Sequence, residues 1–325
     1  MKIITTFTLL SLSMNLFAGP FRDKIRERWL NREMQGEAPK LTENLRAIKV
    51  GDKDRYYIIN VPKSYDKTKA TPLLLALHGG GGNMEIQAAD RFYKVLSKSE
   101  KEGFIALFPN GYSKFPSGKF ATWNAGNCCG DASDLNSDDV GFIKALIQEV
   151  SAKYNIDSKR IYSIGMSNGA MMSYRLACEL SDVITGIGAV AGTDNTTTCT
   201  PKNPVSVIHI HAKDDTHVLF NGGAGEDAFQ DKTKVTNFIS VPSTIEKWVK
   251  FNECNPKPKR VLASSGAYCD QYLECKNNVS VKLCVTEKGG HSWPGGMKPR
   301  GVGPRPTDAI SATDTIWSFF TEQGH

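Results

Sequence analysis

The sequence GMSNG at residues 165–169 decides the fold of this chain. It follows the apolar run RIYSI at residues 160–164, which predicts a strand, and precedes AMMSYRL at residues 170–176, which predicts a helix. A serine between two glycines at a tight strand-to-helix turn is typical of a nucleophile elbow, where larger side chains would clash with the crowded backbone. The five-residue pattern alone is a weak signal, so the agreement of both flanks supports the prediction. Ser167 is therefore the candidate nucleophile.

A serine hydroxyl is a weak nucleophile and needs a base, together with an acid that orients this base. The strand-like run VSVIHIH at residues 205–211 ends just before Asp214 and Asp215, which places a carboxylate at the end of a strand. We predict Asp215 as the acid, and Asp214 as a residue that caps or solvates the loop. His291, in the glycine-rich stretch GGHSWPGG at residues 289–296, is the predicted general base.

A second glycine-rich segment precedes the elbow in the chain. The sequence HGGGGN at residues 78–83 follows the apolar run PLLLAL at residues 72–77. Consecutive glycines allow backbone N–H groups to point at an oxyanion, and we predict Gly80 and Asn168 as the two donors. The segment lacks the Gly-Lys-Ser/Thr ending of a phosphate-binding loop and the spacing of a dinucleotide fingerprint. The sequence therefore predicts no cofactor.

Histidines and aspartates also cluster near the predicted acid, in a pattern that nearly matches a binuclear metallohydrolase motif. His209 and His211 alternate along a strand and so share one face, with Asp214, Asp215 and His217 close behind. However, no second group of ligands occurs at metal-binding spacing. We expect no metal, and a metal-dependent hydrolase remains an alternative that sensitivity to chelators would reveal.

Predicted strands and helices alternate along most of the chain. Two strand-like runs, residues 45–50 and 56–61, flank the turn sequence GDKD and indicate a hairpin. After it, the patterns predict strands at 73–77, 104–108 and 161–164, and helices at 86–101, 139–154, from Ala170 onward and at 307–321. This alternation predicts an α/β fold with a mostly parallel, doubly wound sheet and an antiparallel N-terminal edge.

Composition agrees with one mid-sized globular catalytic domain. The chain has 325 residues, of which 40% are hydrophobic and 23% charged. The net charge of +6 is scattered rather than gathered into a Lys/Arg tract, so we expect no nucleic-acid partner. We expect a monomer.

The N-terminus has the features of a secretory signal peptide. Lys2 precedes an apolar stretch at residues 3–17, and the small residue Ala18 follows it, which predicts cleavage near Ala18 and Gly19. We therefore predict a signal peptide over residues 1–18, a helical leader over 19–44 and one catalytic domain over 45–325. The signal peptide predicts export to the periplasm or the exterior. No other apolar stretch reaches the ~20 residues that span a bilayer, so we expect no membrane span.

Eight cysteines fit an oxidising compartment, where disulfides persist. Eight cysteines allow 105 pairings, so the sequence cannot choose among them. The plausible pairs are Cys178 with Cys199, Cys254 with Cys284 and Cys269 with Cys275, which leaves the adjacent Cys128 and Cys129.

Taken together, these motifs resemble the secreted bacterial esterases known as polyhydroxybutyrate depolymerases and feruloyl esterases, within the α/β-hydrolase superfamily. The chain order Ser, Asp, His is the order of that superfamily. The resemblance covers roughly residues 45–321 and includes the Asp215 region; its motifs are HGGGGN at 78–83, FPNG at 108–111, WNAGNCCG at 123–130, DDVGF at 138–142, GMSNGA at 165–170 and HSWPG at 291–295. It implies an α/β-hydrolase fold and an esterase with Ser167, Asp215 and His291 as its triad.

The resemblance also carries expectations about the substrate. It implies hydrolysis of polyhydroxybutyrate or its 3-hydroxybutyrate oligomers, with feruloyl or acetylxylan esterase as the alternative. Trp123 and Trp293 would be walls of the substrate cleft, although tryptophans are also common in cores. The chain departs from the family pattern at Leu219 and Phe220, where a Pro-Tyr pair is usual. A secreted binding protein that kept the fold without activity is the alternative of another class.

Overall fold

The computed structural model describes residues 42–226, 228, 236–299 and 303–322, together with positions 28, 31, 34, 37 and 40. The predicted signal peptide, residues 1–18, lies outside the described residues, as does most of the predicted leader at 19–44.

A ten-stranded sheet forms the centre of the described chain. Its strands are β1 (Leu45–Val50), β2 (Lys53–Asn60), β3 (Thr71–Leu77), β4 (Ile105–Pro109), β5 (Ile156–Met166), β6 (Gly186–Val190), β7 (Ser206–Ala212), β8 (Lys259–Ser264), β9 (Ala267–Tyr272) and β10 (Val281–Thr286). Their spatial order is β1-β2-β4-β3-β5-β6-β7-β10-β9-β8. The strands from β4 to β10 in this order run parallel, while β1 and β2 at one edge and β9 and β8 at the other pair antiparallel. The predicted antiparallel N-terminal edge is confirmed, and the β8–β9 edge is an addition that the sequence analysis missed.

Helices cover both faces of the sheet. They are α1 (Met84–Ala88), α2 (Asp90–Tyr93), α3 (Val95–Glu102), α4 (Gly130–Asp134), α5 (Asp139–Lys153), α6 (Asn168–Glu179), α7 (Val241–Phe251) and α8 (Ala312–Glu322), with one 3₁₀ turn at Lys276–Asn278. Along β3, Leu73, Leu75 and Leu77 face the core beneath α5, α6 and α7, whereas Leu74 and Ala76 face the core beneath α1 to α3 and α8. Burial on both faces explains the unbroken apolar sequence of this strand and confirms the doubly wound architecture. Within the described ranges, no helix is long and apolar enough to cross a membrane.

The helix predicted over residues 86–101 is wrong, because three short helices occupy this segment. Ala89 is extended, with φ −70° and ψ 106°, and Lys94 is left-handed, with φ 55° and ψ 25°. Asp90 stabilises the second break by accepting a hydrogen bond from the N–H of Ser97, over 2.9 Å. The apolar spacing continues across both breaks, so the sequence pattern alone resembles one helix.

The predicted start of α5 is confirmed by its N-cap. The Asp138 carboxylate accepts a hydrogen bond from the N–H of Gly141 over 2.8 Å, as a capping aspartate does. Its neighbour Asp139 is buried and forms an ion pair with Arg55 over 2.7 Å. Neither carboxylate lies among the predicted catalytic residues.

The disulfide pairing is partly as expected. Cys178 pairs with Cys199, as predicted. The other two predicted pairs are wrong, because Cys269 and Cys284 face each other directly across the β9–β10 ladder and form a disulfide. Cys254 then pairs with Cys275, and the adjacent Cys128 and Cys129 pair with each other.

Candidate active site

Ser167 lies at the sharp turn between β5 and α6, as the elbow pattern predicts. Its φ of 56° and ψ of −123° are rare for a residue with a side chain, and strained backbone of this kind concentrates at functional sites. Both flanking glycines are required because a side chain at either position would clash with backbone atoms. A Cβ at Gly165 would lie 2.4 Å from the carbonyl of Gly169, and a Cβ at Gly169 would lie 2.3 Å from the carbonyl oxygen of Leu77.

The glycine loop after β3 packs directly against this turn. A Cβ placed at Gly79 would lie 3.5 Å from the Cβ of Ser167, and one at Gly80 would lie 3.6 Å from the Cβ of Asn168. The Gly81 N–H donates to the carbonyl of Ala121 over 2.9 Å, which ties the loop to the segment before Trp123. Gly80 itself is exposed, next to the first residue of α6.

His78 holds the glycine loop in place, a role that the sequence analysis missed. Its Nδ1–H donates to the carbonyl of Gly79, and its Nε2 accepts from the N–H of Gly111, both over 2.9 Å. Burial lowers the pKa of His78 to about 4, so the ring is neutral near pH 7 and keeps this tautomer. The sequence signal was the histidine that precedes four glycines at the end of a buried strand.

Trp123 does not form a wall of an open cleft, because its side chain is 0% exposed. The indole N–H donates to the carbonyl of His78 over 2.9 Å, and the ring lies 5.0 Å from the imidazole of His78. The side chain of Asn168 brackets the backbone of Trp123, accepting from its N–H over 2.7 Å and donating to its carbonyl over 3.0 Å. Trp123 therefore supports the glycine loop and the elbow from beneath.

Trp293 is also a core residue rather than a cleft wall, with 2% of its surface exposed. Its indole N–H donates to the hydroxyl of Thr313 over 3.0 Å, and its ring packs edge-on against Tyr93. Large aromatic residues gain most from burial when their polar atom finds a partner, and both tryptophans meet this condition.

Asp215 and His291 are in direct contact. The carboxylate Oδ2 of Asp215 accepts from Nδ1 of His291 over 2.9 Å, and its Oδ1 accepts from the N–H groups of His217 and Val218 over 2.8 and 3.1 Å. Burial alone would raise the pKa of Asp215, but His291 and His211 outweigh it and hold this pKa well below its usual range. The carboxylate is therefore ionised at every pH at which an imidazole titrates.

Asp214 contacts the loop that carries His291. Its carboxylate accepts from the N–H of Gly290 over 2.7 Å and lies 3.4 Å from the N–H of Gly289. Asp214 thus anchors the approach to the histidine, which is more specific than the capping or solvated role expected from the sequence. His217 covers the other side of His291, with the two rings nearly parallel and their centres 4.8 Å apart.

An exposed aromatic residue adjoins the segment that pairs with the glycine loop. Phe120 is 38% exposed, has a left-handed φ of 54° and packs edge-on against Phe115. The next residue, Ala121, pairs with Gly82 of the loop. The sequence signal for this residue is the pair of phenylalanines in the Gly/Pro-containing segment FPSGKFA, residues 115–121. Phe220, at the departure from the family pattern, packs against His211 behind the acid.

The two histidines of β7, the strand that precedes the predicted acid, bond to one another and to protein groups. Nε2 of His209 lies 3.0 Å from Nδ1 of His211, and Nε2 of His211 lies 2.8 Å from the carbonyl of Val218. In the part of the chain that the structure describes, no group of three or more His, Cys, Asp or Glu side chains is arranged to hold a metal ion.

Comparison with known proteins identifies relatives for most of the chain. The family model described as esterase PHB depolymerase matches residues 56–225, just over half of the chain. Feruloyl esterase B of Piromyces equi is 31% identical over 244 residues, which cover 73% of this chain and 42% of the relative. Feruloyl esterase C of Emericella nidulans is 26% identical over 297 residues, covering 88% of this chain and 89% of the relative. This chain thus spans less than half the length of the Piromyces protein.

Solved structures support the fold. An acetyl xylan esterase from Aspergillus awamori superposes with a TM-score of 0.57 at 14% identity, covering 85% of this chain and 98% of its own. The native form of a protein designated sOPH superposes with a TM-score of 0.55 at 18% identity, covering 90% of this chain and 89% of the sOPH chain. At such low identity, the likeness extends to the fold alone.

Proposed function

The chain belongs to the esterase PHB depolymerase family and is a carboxylic-ester hydrolase with an α/β-hydrolase fold, and we propose that it works through a Ser167, Asp215, His291 triad. One observation carries the proposal: a serine at φ 56° lies against a glycine loop, and a histidine that follows a neighbouring part of the same sheet bonds through Nδ1 to the ionised carboxylate of Asp215. A buried carboxylate on one imidazole nitrogen leaves the other nitrogen to act as a base.

The reaction has two steps. The free imidazole nitrogen of His291 removes the proton of the Ser167 hydroxyl as its oxygen attacks the ester carbonyl. The N–H groups of Gly80 and Asn168 donate to the oxyanion, and His291 then protonates the departing alcohol. Water attacks the acyl-enzyme with His291 again as base, which releases the acid and restores the serine. Asp215 stays ionised and stabilises the imidazolium that forms in both steps.

The preferred substrate in this proposal is an ester of a hydroxycinnamic acid, such as a feruloyl ester. Two observations favour it: relatives over most of the chain are named feruloyl esterases, and the exposed residue Phe120 directly precedes Ala121, which pairs with Gly82 of the glycine loop. Aromatic rings attract each other through edge-on or offset stacking. Oligomers of 3-hydroxybutyrate are the second candidate, favoured by the description of the matching family model.

We further propose that the protein is exported and works in an oxidising compartment. The four disulfides of the described chain fit such an environment, as does the signal-like sequence of residues 1–18. Sequencing the N-terminus of protein isolated from the producing cells tests this proposal, since export predicts a mature chain that begins near Gly19. A chain that retains Met1 in the cytosol would contradict it.

Acid release from a matched panel of substrates tests the activity. Purified protein is given methyl ferulate, 3-hydroxybutyrate oligomers and acetylated xylan, with Ser167→Ala as the control. We expect methyl ferulate to be turned over fastest, and Ser167→Ala to lose about 10⁴- to 10⁶-fold in kcat. Fastest turnover of hydroxybutyrate oligomers would favour the second candidate. Full activity of a folded Ser167→Ala variant, or loss of activity on adding a chelator, would overturn the triad.

A further inference from the structure

A buried chain of hydrogen bonds leads from helix α6 to His211, which contacts the predicted acid. The hydroxyl of Tyr174 lies 2.8 Å from Nδ1 of His209, and Nε2 of His209 lies 3.0 Å from Nδ1 of His211. Nε2 of His211 then lies 3.3 Å from Oδ2 of Asp215, the same oxygen that accepts from His291. The side chains of Tyr174, His209 and His211 are at most 1% exposed.

The carbonyl of Val218, at the His211 end of this hydrogen-bond chain, fixes the position of each proton. Nε2 of His211 also lies 2.8 Å from the carbonyl oxygen of Val218, which can only accept a hydrogen bond. Nε2 of His211 must therefore carry hydrogen, and in a neutral ring its Nδ1 accepts. His209 consequently donates from Nε2 and accepts at Nδ1, where the hydroxyl of Tyr174 is the donor. Every donor in the chain points toward Asp215.

Burial keeps His209 and Tyr174 uncharged near neutral pH. It holds the pKa of His209 well below its usual range, and it raises the pKa of Tyr174 well above its usual range. The imidazoles of His209 and His211 stack nearly parallel, with an angle of 7° between their planes. The opposite tautomer of His211 would turn a nitrogen lone pair toward two oxygen acceptors, which costs free energy in a buried site.

We infer that His211 is a positioning residue for Asp215, and that Tyr174 and His209 set its tautomer. This inference rests on the proposed triad, in which Asp215 orients His291. Nε2–H of His211 lies 3.3 Å from Oδ2, the oxygen that also accepts from His291, while the N–H groups of His217 and Val218 donate to Oδ1. The carboxylate is thereby fixed in the plane and orientation that the imidazolium of His291 needs.

Substitution at His211 separates donation from packing. His211→Leu removes the donor, whereas the amide of His211→Gln can still donate to Asp215 from a similar position. With a soluble ester, we expect the leucine variant to lose about ten- to a hundredfold in kcat with KM little changed, and the glutamine variant to recover most of that loss. Equal losses in both variants would indicate packing alone and would overturn the inference, as would an unchanged kcat in His211→Leu.

Substitution at Tyr174 tests the remote end of the chain against a matched control. Tyr162 is also buried, at 3% exposed, and stacks on Phe320 away from the predicted site. We expect Tyr174→Phe to lower kcat about three- to tenfold and Tyr162→Phe to leave it unchanged, with both variants folded. Equal kcat values for the two variants would contradict a role for Tyr174.

Nitrogen-15 NMR of the histidine rings shows which ring nitrogen carries hydrogen, independently of any measurement of enzymatic activity. The spectrum is recorded near pH 7 on the wild type and on Ser167→Ala, and variants at positions 209 and 211 assign the signals. From the hydrogen-bond partners, we expect hydrogen on Nε2 and a bare Nδ1 in both His209 and His211. Hydrogen on Nδ1 in either ring would overturn the inference. Failure of the triad proposal would instead show as activity in Ser167→Ala, so the two failures are distinguishable.

Discussion

Asp214 and Asp215 are neighbours in sequence, yet their carboxylates contact different partners. Asp215 accepts from His291, while Asp214 accepts from the backbone of Gly290. The sequence placed both at the end of a strand, and the choice of Asp215 depended on strand-end geometry and family likeness. The sequence did not show why two adjacent carboxylates occur here. In the structure Asp215 contacts the histidine and Asp214 contacts the loop that carries it.

Substitution of each aspartate separates these roles. Asp215→Asn keeps the shape but replaces a charged acceptor with an amide, which stabilises the wrong tautomer of His291. We expect kcat to fall by about 10³ to 10⁴. Asp214→Asn is the matched control, and its carbonyl oxygen can still accept from Gly290, so we expect a loss of less than about tenfold. Steady-state kinetics on one soluble ester measures both, and equal losses would contradict the assignment of Asp215 as the acid.

His78 predicts a pH dependence of stability. Its folded pKa is lowered to about 4, whereas the unfolded value is about 6.5. Between these values the unfolded chain binds a proton that the folded chain does not, so the free energy of unfolding falls as pH decreases from 6.5 toward 4. His78→Gln removes this titration and keeps an acceptor for the N–H of Gly111. Between pH 6.5 and 5, we expect the wild type to lose about 2 kcal/mol more than the variant.

Denaturant unfolding at the two pH values measures this difference. The comparison uses the change with pH in each protein, so a constant loss of stability in His78→Gln cancels. Parallel pH profiles would show that His78 is not held neutral by burial.

At the scale of elements, local sequence requirements were the easiest to predict. The elbow could be predicted because its glycines avoid clashes with nearby backbone. A side chain at Gly165 would clash with Gly169, and one at Gly169 would clash with the end of the adjacent strand. The breaks at Ala89 and Lys94 were missed because they depend on how α1 to α3 pack on the sheet. Cys269 and Cys284 were paired wrongly because their contact follows from the register of β9 against β10.

The packing of the elbow predicts that adding one methyl group at Gly169 lowers the free energy of unfolding substantially. In Gly169→Ala the new Cβ would lie 2.3 Å from the carbonyl oxygen of Leu77, which belongs to a buried strand and cannot move aside. We expect a loss of about 3 kcal/mol or more in unfolding free energy, measured by denaturant titration. Gly80→Ala is the matched control, because its Cβ would meet Asn168 at an ordinary 3.6 Å. A loss of less than about 1 kcal/mol in Gly169→Ala would contradict the packing described.

The loop that carries Phe120 predicts selectivity among substrates. Phe120→Ala removes an exposed aromatic residue that adjoins the segment paired with the glycine loop, so we expect kcat/KM for methyl ferulate to fall on the order of tenfold, with a smaller effect on 3-hydroxybutyrate oligomers. Leu273→Ala is the matched control. Leu273 is similarly exposed but follows Tyr272, which pairs with the first residue of β10 at the opposite edge of the sheet. Equal losses on both substrates would remove the argument for an aromatic acyl group.

At the scale of the whole molecule, the parallel sheet gathers the predicted site. His78 follows β3, Ser167 follows β5, Asp215 follows β7 and His291 follows β10, so residues far apart in sequence all follow the carboxyl ends of parallel strands. The order of these elements was readable from the alternation of strands and helices, which is why the fold and the candidate residues could be predicted together. The burial of Trp123 and Trp293 could not be predicted from the sequence, because it depends on packing beneath the loops rather than on the motifs that contain these residues.

The central claim is that Ser167 forms a covalent acyl-enzyme. Intact-mass spectrometry after treatment with a serine-directed phosphonate tests it most directly, with peptide mapping to locate the adduct. We expect one adduct per chain, on Ser167, with loss of esterase activity in proportion to labelling and no adduct in Ser167→Ala. Labelling at another residue, or full activity in the completely labelled protein, would contradict it.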